Sequence, residues 1–359
     1  MSVRPPPPSG AAARLALAGP VSGRAPAVRG RTGAPLVQVE KLSKLYPVGG
    51  GLFGKPRFVH AVDSVSLYVR HGETLGLVGE SGCGKSTLGR TMLRLVEPTL
   101  GRVSFDGRDL TRMSPAELRA TRRRMQIVFQ DPYSSLNPRM TVREIVGEGI
   151  TVHRLARTRA ETDEKVAAVL AKVGLRPEMM ARYPHEFSGG QRQRVGIARA
   201  LSVNPDFIVC DEPVSALDVS VQAQVINLLE QLQDELGVSL LFISHDLRVI
   251  EYTSHRMAVM YLGRIVEVGP TPDVSEKRYH PYTRALFDAM PGAGAGTDGK
   301  RRLLLHGEPP SAVDPPHGCA FHPRCPRAEK GKCDVEIPTL EELVPGSHHR
   351  VACWHPETG

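Results

Sequence analysis

The segment that most limits what this chain can fold into is Gly79-Glu80-Ser81-Gly82-Cys83-Gly84-Lys85-Ser86-Thr87. It follows a short apolar run, Thr74–Val78, and opens a stretch of helical character from about Lys85 to Val96. The residues fit the pattern G-x-x-x-x-G-K-[ST], in which each part has a physical task. Glycines let consecutive backbone N–H groups turn inward around phosphate oxygens, and the helix behind them presents the positive end of its dipole. Lys85 supplies a mobile positive charge to β- and γ-phosphates, and the Ser86 hydroxyl is a hard oxygen donor for Mg²⁺. A loop of this kind belongs between a buried strand and a helix, which points to an α/β core.

The remaining patterning agrees with such a core. Val37 and Val39, then Val65, Leu67 and Val69, alternate with polar residues and predict two half-buried strands, with Gly49–Gly51 as a loop between them. Ser114-Pro115-Ala116-Glu117 is a capping box with proline at the first helical position. Met125–Phe129, Phe207–Cys210, Leu240–Ile243 and Met257–Met260 are short apolar runs separated by helical segments such as Ser220–Leu236, the signature of buried strands in a parallel sheet. Residues 139–200 have helical periodicity and few strand signals, and predict a helical insert.

Phe207-Ile208-Val209-Cys210-Asp211-Glu212 delivers two carboxylates to the C-terminal end of a buried strand, where open parallel sheets bind ligands. Adjacent acids on extended backbone face opposite ways. Asp211 therefore suits holding hydrated Mg²⁺, and Glu212 suits polarising an attacking water.

Composition narrows the partners. At 41% hydrophobic and 23% charged, the chain can bury a core, yet no apolar run approaches the ~18 residues that span a bilayer. A soluble chain is expected, with membrane association only through partners. Part of the net charge of +8 sits in the first 40 residues, where Arg4, Arg14, Arg24, Arg29 and Arg31 face one acid, Glu40. With Pro5–Pro8, residues 1–35 predict a disordered basic extension. No aromatic residues interleave with the basic ones, so nucleic acid is not an expected partner.

Glu186-Phe-Ser188-Gly189-Gly190-Gln191-Arg-Gln-Arg194 resembles the signature of ABC ATPases, and the other motifs of that family appear in order. Gln130 matches the glutamine loop, Ser215-Ala-Leu-Asp218 the D-loop, His245 in Ser244-His245-Asp246 the switch histidine, and Tyr46 the aromatic that stacks on adenine. The match runs from about Val37 to Arg284. It implies a P-loop NTPase with a mixed-sheet core, an antiparallel β subdomain and a helical subdomain over 36–290. It further implies that two such domains pair head to tail, each ATP lying between one phosphate loop and the partner's Ser188 and Gly190. His245 would position the γ-phosphate and the water, and Gln130 would contact Mg²⁺.

Gln130-Asp-Pro-Tyr-Ser-Ser-Leu-Asn-Pro-Arg139, Tyr183-Pro-His-Glu186, His280-Pro-Tyr-Thr-Arg-Ala-Leu286 and Gly307-Glu-Pro-Pro-Ser311 resemble the oligopeptide/dipeptide importer ATPases. The resemblance implies ATP-driven peptide uptake from the cytoplasmic face of a bacterial membrane. It implies two membrane-spanning permease subunits, a second ATPase and, indirectly, an extracytoplasmic peptide-binding protein. The permease would meet the surface around Pro132–Pro138. Nickel and glutathione importers share much of the pattern and are the alternative; a soluble non-transport ABC ATPase is a more distant one, since the chain has one cassette and no heptads.

A glycine-rich linker is expected over 291–300 and a small Cys-rich appendage over 301–359. Cys319, Cys325, Cys333 and Cys353 are separated by five, seven and nineteen residues. Four thiolates in one small region can hold Zn²⁺ or an iron–sulfur cluster, and the absence of a C-x-x-C pair argues against common zinc folds. The resemblance favours a [4Fe–4S] cluster as the candidate, with reduced structural cysteines as the alternative. His322, His348 and His355 read as surface residues, Cys83 as facing phosphate and Cys210 as buried packing.

Overall fold

A computed structural model describes residues 34–49, 57–290 and 307–357. The expected N-terminal extension up to residue 33, Gly50 and Gly51 of the expected loop and the linker over 291–300 lie outside them.

Strands β1 (Val37–Val48) and β2 (Arg57–Val69) pair antiparallel. Strand β3 (Thr74–Val78) enters the phosphate loop, from which α1 (Lys85–Met92) departs. The helix stops short of Val96 because Arg94 turns to positive φ and sends its guanidinium to the carbonyls of Leu110 and Met113. Then come β4 (Leu100–Phe105), β5 (Arg108–Asp109) and α2 (Pro115–Arg122), which opens on the expected capping box, Glu117 accepting the Ser114 N–H at 2.9 Å. After β6 (Met125–Val128) come the helices α3 (Val142–Val152), α4 (Arg159–Lys172) and α5 (Gly189–Leu201). The chain returns to the sheet through β7 (Phe207–Asp211), α6 (Val219–Leu236), β8 (Ser239–Ile243), α7 (Leu247–Thr253), β9 (Arg256–Tyr261) and β10 (Arg264–Pro270). Helices α8 (Thr271–Lys277) and α9 (Pro281–Asp288) precede two short strands, β11 (Glu341–Glu342) and β12 (Arg350–Val351).

Two sheets result. A four-stranded antiparallel sheet runs β2-β1-β4-β5, and an eight-stranded mixed sheet runs β11-β12-β10-β9-β3-β8-β7-β6. Its pairings from β9 through β3, β8 and β7 to β6 are parallel. These strands are predominantly apolar because both faces are covered. The two-residue period divides their side chains between two cores. Val78, Ile208, Cys210, Leu240 and Phe242 pack against α3, α5 and α6, whereas Leu75, Leu77, Phe207, Val209, Leu241 and Ile243 pack against α1 and the antiparallel sheet.

The C-terminal region is not set apart as an appendage. Strand β12 pairs with β10, so the region adds two strands to the main sheet. Phe321, 1% exposed, enters the main core against Tyr261 and Tyr282 at ring-centroid distances of 5.3 and 5.4 Å. His349 lies with its Nε2 2.7 Å from an Oε of Glu267 on β10, both fully buried. Glu267 also accepts the N–H groups of Tyr279 and His280, which is how its carboxylate survives burial.

Candidate functional site

The phosphate loop turns where glycine alone fits. At Gly84, φ is 107°, and a Cβ there would stand 1.9 Å from the Ala61 carbonyl oxygen; one at Gly79 would stand 2.1 Å from that of Met260. Lys85 is buried beneath the loop, its Nζ donating to the carbonyls of Gly79 and Glu80 at 2.8 and 2.9 Å. Ser86 Oγ donates to Asp211 Oδ1 at 2.6 Å. Asp211 is wholly buried and receives Arg90 on its other oxygen at 3.3 Å, a partner the sequence did not disclose.

Glu212 takes a different direction from its neighbour, as alternation requires, but by an unforeseen route. Its backbone has φ 47°, a left-handed conformation costing about 1–3 kcal/mol in a non-glycine residue. The Glu212 N–H donates to Ile243 O at 3.0 Å, tying this turn to β8. The carboxylate accepts Gln130 Nε2 at 2.9 Å and lies 3.3 Å from His245 Nδ1. Three residues drawn from the ends of β6, β7 and β8 thus meet at one carboxylate.

These groups line one open cavity of about 640 Å³. Tyr46, with Lys44 Nζ 4.9 Å from its ring centroid, lines it together with Ser81, Gly82, Gly84, Lys85, Ser86 and Thr87 of the loop and with Gln130, Glu212 and His245. Ala312, from the C-terminal region, also reaches it, and its carbonyl accepts the His60 N–H at 2.8 Å. No motif pointed to Ala312.

Other expected residues lie elsewhere. Ser188 and Gly190 are outside this cavity, at the start of α5, where exposed Ser188 and Gln191 cap the helix reciprocally. Cys83 does not face phosphate: its thiol turns under the loop into the core, and burial raises its pKa. Glu80 points away from the cavity toward the C-terminal region. Cys210 is buried packing as expected, its thiol pushed up to about 12 by burial.

The four C-terminal cysteines do converge, lining one narrow cavity with Phe321 and Trp354. Burial pushes Cys325 up to about 11 and Cys353 up to about 12. Among the described residues no group of three or more His, Cys, Asp or Glu closes around a single metal ion. His322 and His355 line the same cavity instead of lying free on the surface, and His355 pairs with Glu329 at 2.9 Å.

Residues 62–215 match the ABC transporter family, and residues 266–333 match the family described as oligopeptide/dipeptide transporter, C-terminal region. The oligopeptide transport ATP-binding protein AppF of Bacillus subtilis is 51% identical over 321 residues, covering 89% of this chain and 96% of AppF. A Sinorhizobium fredii relative, "Probable peptide ABC transporter ATP-binding protein y4tS", is 53% identical over 319 residues, 89% of either chain. The dimeric ATP-binding cassette MJ0796, solved in a post-hydrolysis state with ADP and Pi, superposes with a TM-score of 0.59 at 30% identity, covering 66% of this chain and 98% of that one.

Proposed function

Since this chain belongs to the ABC-transporter ATPases, in the oligopeptide/dipeptide branch, we propose that it hydrolyses ATP to energise peptide uptake through membrane permease subunits. It is an ATPase that works as a peripheral, membrane-associated subunit, paired with a second ATPase domain. Among the described residues no helix is long and apolar enough to cross a membrane. The finer assignments are the cytoplasmic face of the membrane, a separate second ATPase subunit and an extracytoplasmic peptide-binding protein, supported by the branch resemblance.

The observation that carries the catalytic reading is the meeting of Gln130 and His245 on the Glu212 carboxylate, across one cavity from Lys85 and Ser86. The triphosphate lies along the loop amides, its charge met by Lys85 and its adenine against Tyr46. Ser86 and Asp211 are hard oxygen donors 2.6 Å apart and fit Mg²⁺, with Gln130 as a further oxygen. Mg²⁺, when bound, offsets phosphate charge. Glu212 orients and polarises the attacking water, and His245 steadies the γ-phosphate from beside it. Exposed Ser188 and the helix N-terminus behind it, with Gly190 in its first turn, close over the partner's ATP, a role that fits their place outside this cavity. For the tail, a [4Fe–4S] cluster rests on donor chemistry alone: four thiols line one cavity. A visible absorption band in anaerobically prepared protein checks it.

The experiment is Glu212→Gln in the reconstituted complex. Mg-ATP binding persists, hydrolysis falls by about 10²–10⁴ and an ATP-dependent dimer accumulates. Turnover at the wild-type rate would falsify the role. Against a substrate panel, peptides stimulate wild-type hydrolysis, whereas stimulation by nickel or glutathione alone would assign the cargo to the alternative.

A further inference from the structure

Glu80 is the only acid in the phosphate loop, residues 79–87, and a carboxylate there opposes the approach of a triphosphate. Its side chain is gripped from a residue 244 positions away: Arg324 Nη1 donates to one oxygen at 2.9 Å and Nη2 to the other at 3.1 Å. This two-pronged geometry is the strongest that guanidinium and carboxylate make. The Arg324 side chain is only 6% exposed, and it lies within reach of the Tyr261 hydroxyl at 3.4 Å. Glu80 is tethered twice more through its backbone, its N–H donating to Tyr282 Oη at 2.9 Å and its carbonyl accepting Lys85 Nζ. Pro309, Pro310 and Ala312 line a second cavity beside Glu80 and Ser81. The C-terminal region therefore meets the phosphate loop through a charged, two-pronged hydrogen bond and flanks a cavity beside it.

We propose that Arg324 is a positioning residue of the nucleotide site: paired with Glu80, it cancels the one negative side-chain charge of the phosphate loop and fixes the loop's conformation for ATP. ATP affinity in this chain is then partly a property of its C-terminal region. This rests on the reading that the loop binds Mg-ATP. Arg324 touches no substrate, and its effect passes through Glu80.

The test uses the purified full chain, with equilibrium Mg-ATP binding and steady-state hydrolysis. Wild type must bind and Lys85→Ala must not; failure there removes the ATP reading itself, before Arg324 is in question. Arg324→Gln leaves the Glu80 carboxylate uncompensated within the phosphate loop and raises the Kd and KM for ATP roughly 5- to 30-fold, with kcat within about two-fold. Glu80→Gln removes the repulsion but keeps the cation, and binds ATP about two- to ten-fold more tightly than wild type. The double variant returns to within about three-fold of wild type. An ion pair that merely stiffens the fold would weaken binding in both single variants. Unchanged affinity in Arg324→Gln, or weaker affinity in Glu80→Gln, overturns the proposal. Should Arg324→Gln fail to fold, the nearly isosteric Glu80→Gln decides alone.

Discussion

At the scale of single residues, positions around the phosphate loop are set by groups that the loop's own sequence does not contain. His255 is one. Its Nδ1 accepts the Thr74 N–H at 3.0 Å while the His255 backbone N–H donates to the Thr74 carbonyl, locking the first residue of β3 to the start of β9. Burial holds its imidazole below the usual 6.5, against the opposing pull of Glu73 and Asp234. The folded chain thus keeps His255 neutral at a pH where the unfolded chain protonates it. Stability from this residue is complete above about pH 6.5 and declines as pH falls below it. Denaturant titrations from neutral to acid pH read this as a falling midpoint, and His255→Asn, which can still accept the Thr74 N–H, flattens the dependence. His255→Ala leaves that N–H without its partner and costs about 1–3 kcal/mol at neutral pH.

At the scale of elements, the segment between β6 and α3 is built as a surface. Pro132 and Leu136 are buried, while Tyr133 (65% exposed), Asn137 and Arg139 face outward. Helix α5, which begins at the signature Ser188, carries the segment: Arg192 stacks its guanidinium 4.0 Å from the Tyr133 ring centroid, and Arg199 donates to the Ser135 carbonyl at 2.6 Å. A push on this loop is felt by the helix that would close over the partner's ATP. The permease would make that push. Arg139→Glu therefore abolishes coupled transport in the assembled complex while the isolated chain keeps its ATPase rate; full transport in that variant removes Arg139 from the coupling surface.

At the scale of the whole molecule, the C-terminal region closes the fold. It supplies β12 to the main sheet, Phe321 to the main core, His349 to the buried Glu267 and Arg324 to the phosphate loop. Phe321→Ala empties a site walled by Tyr261, Tyr282 and His280 and costs about 3–5 kcal/mol, measurable as a lowered unfolding midpoint. Ending the chain at Met290 exposes the same aromatic wall and leaves β10 without a neighbour on that side. Such a fragment aggregates on expression, and recovery of a stable monomer from it would contradict this account.

What the sequence determined by itself was whatever is contiguous. The phosphate loop, the capping box at Ser114, the apolar strands with Asp211 and Glu212 at the end of one, and the helical insert are all local patterns of spacing, and each appears where it was read. Tertiary structure alone decided the pairings: Ser86 with Asp211 across 125 positions, Gln130 with Glu212 across 82, Arg324 with Glu80 across 244. It also turned Cys83 inward and knitted the tail into the sheet. Propensity and periodicity act over a few residues, whereas which distant side chains meet depends on the order in which strands are laid into the sheet.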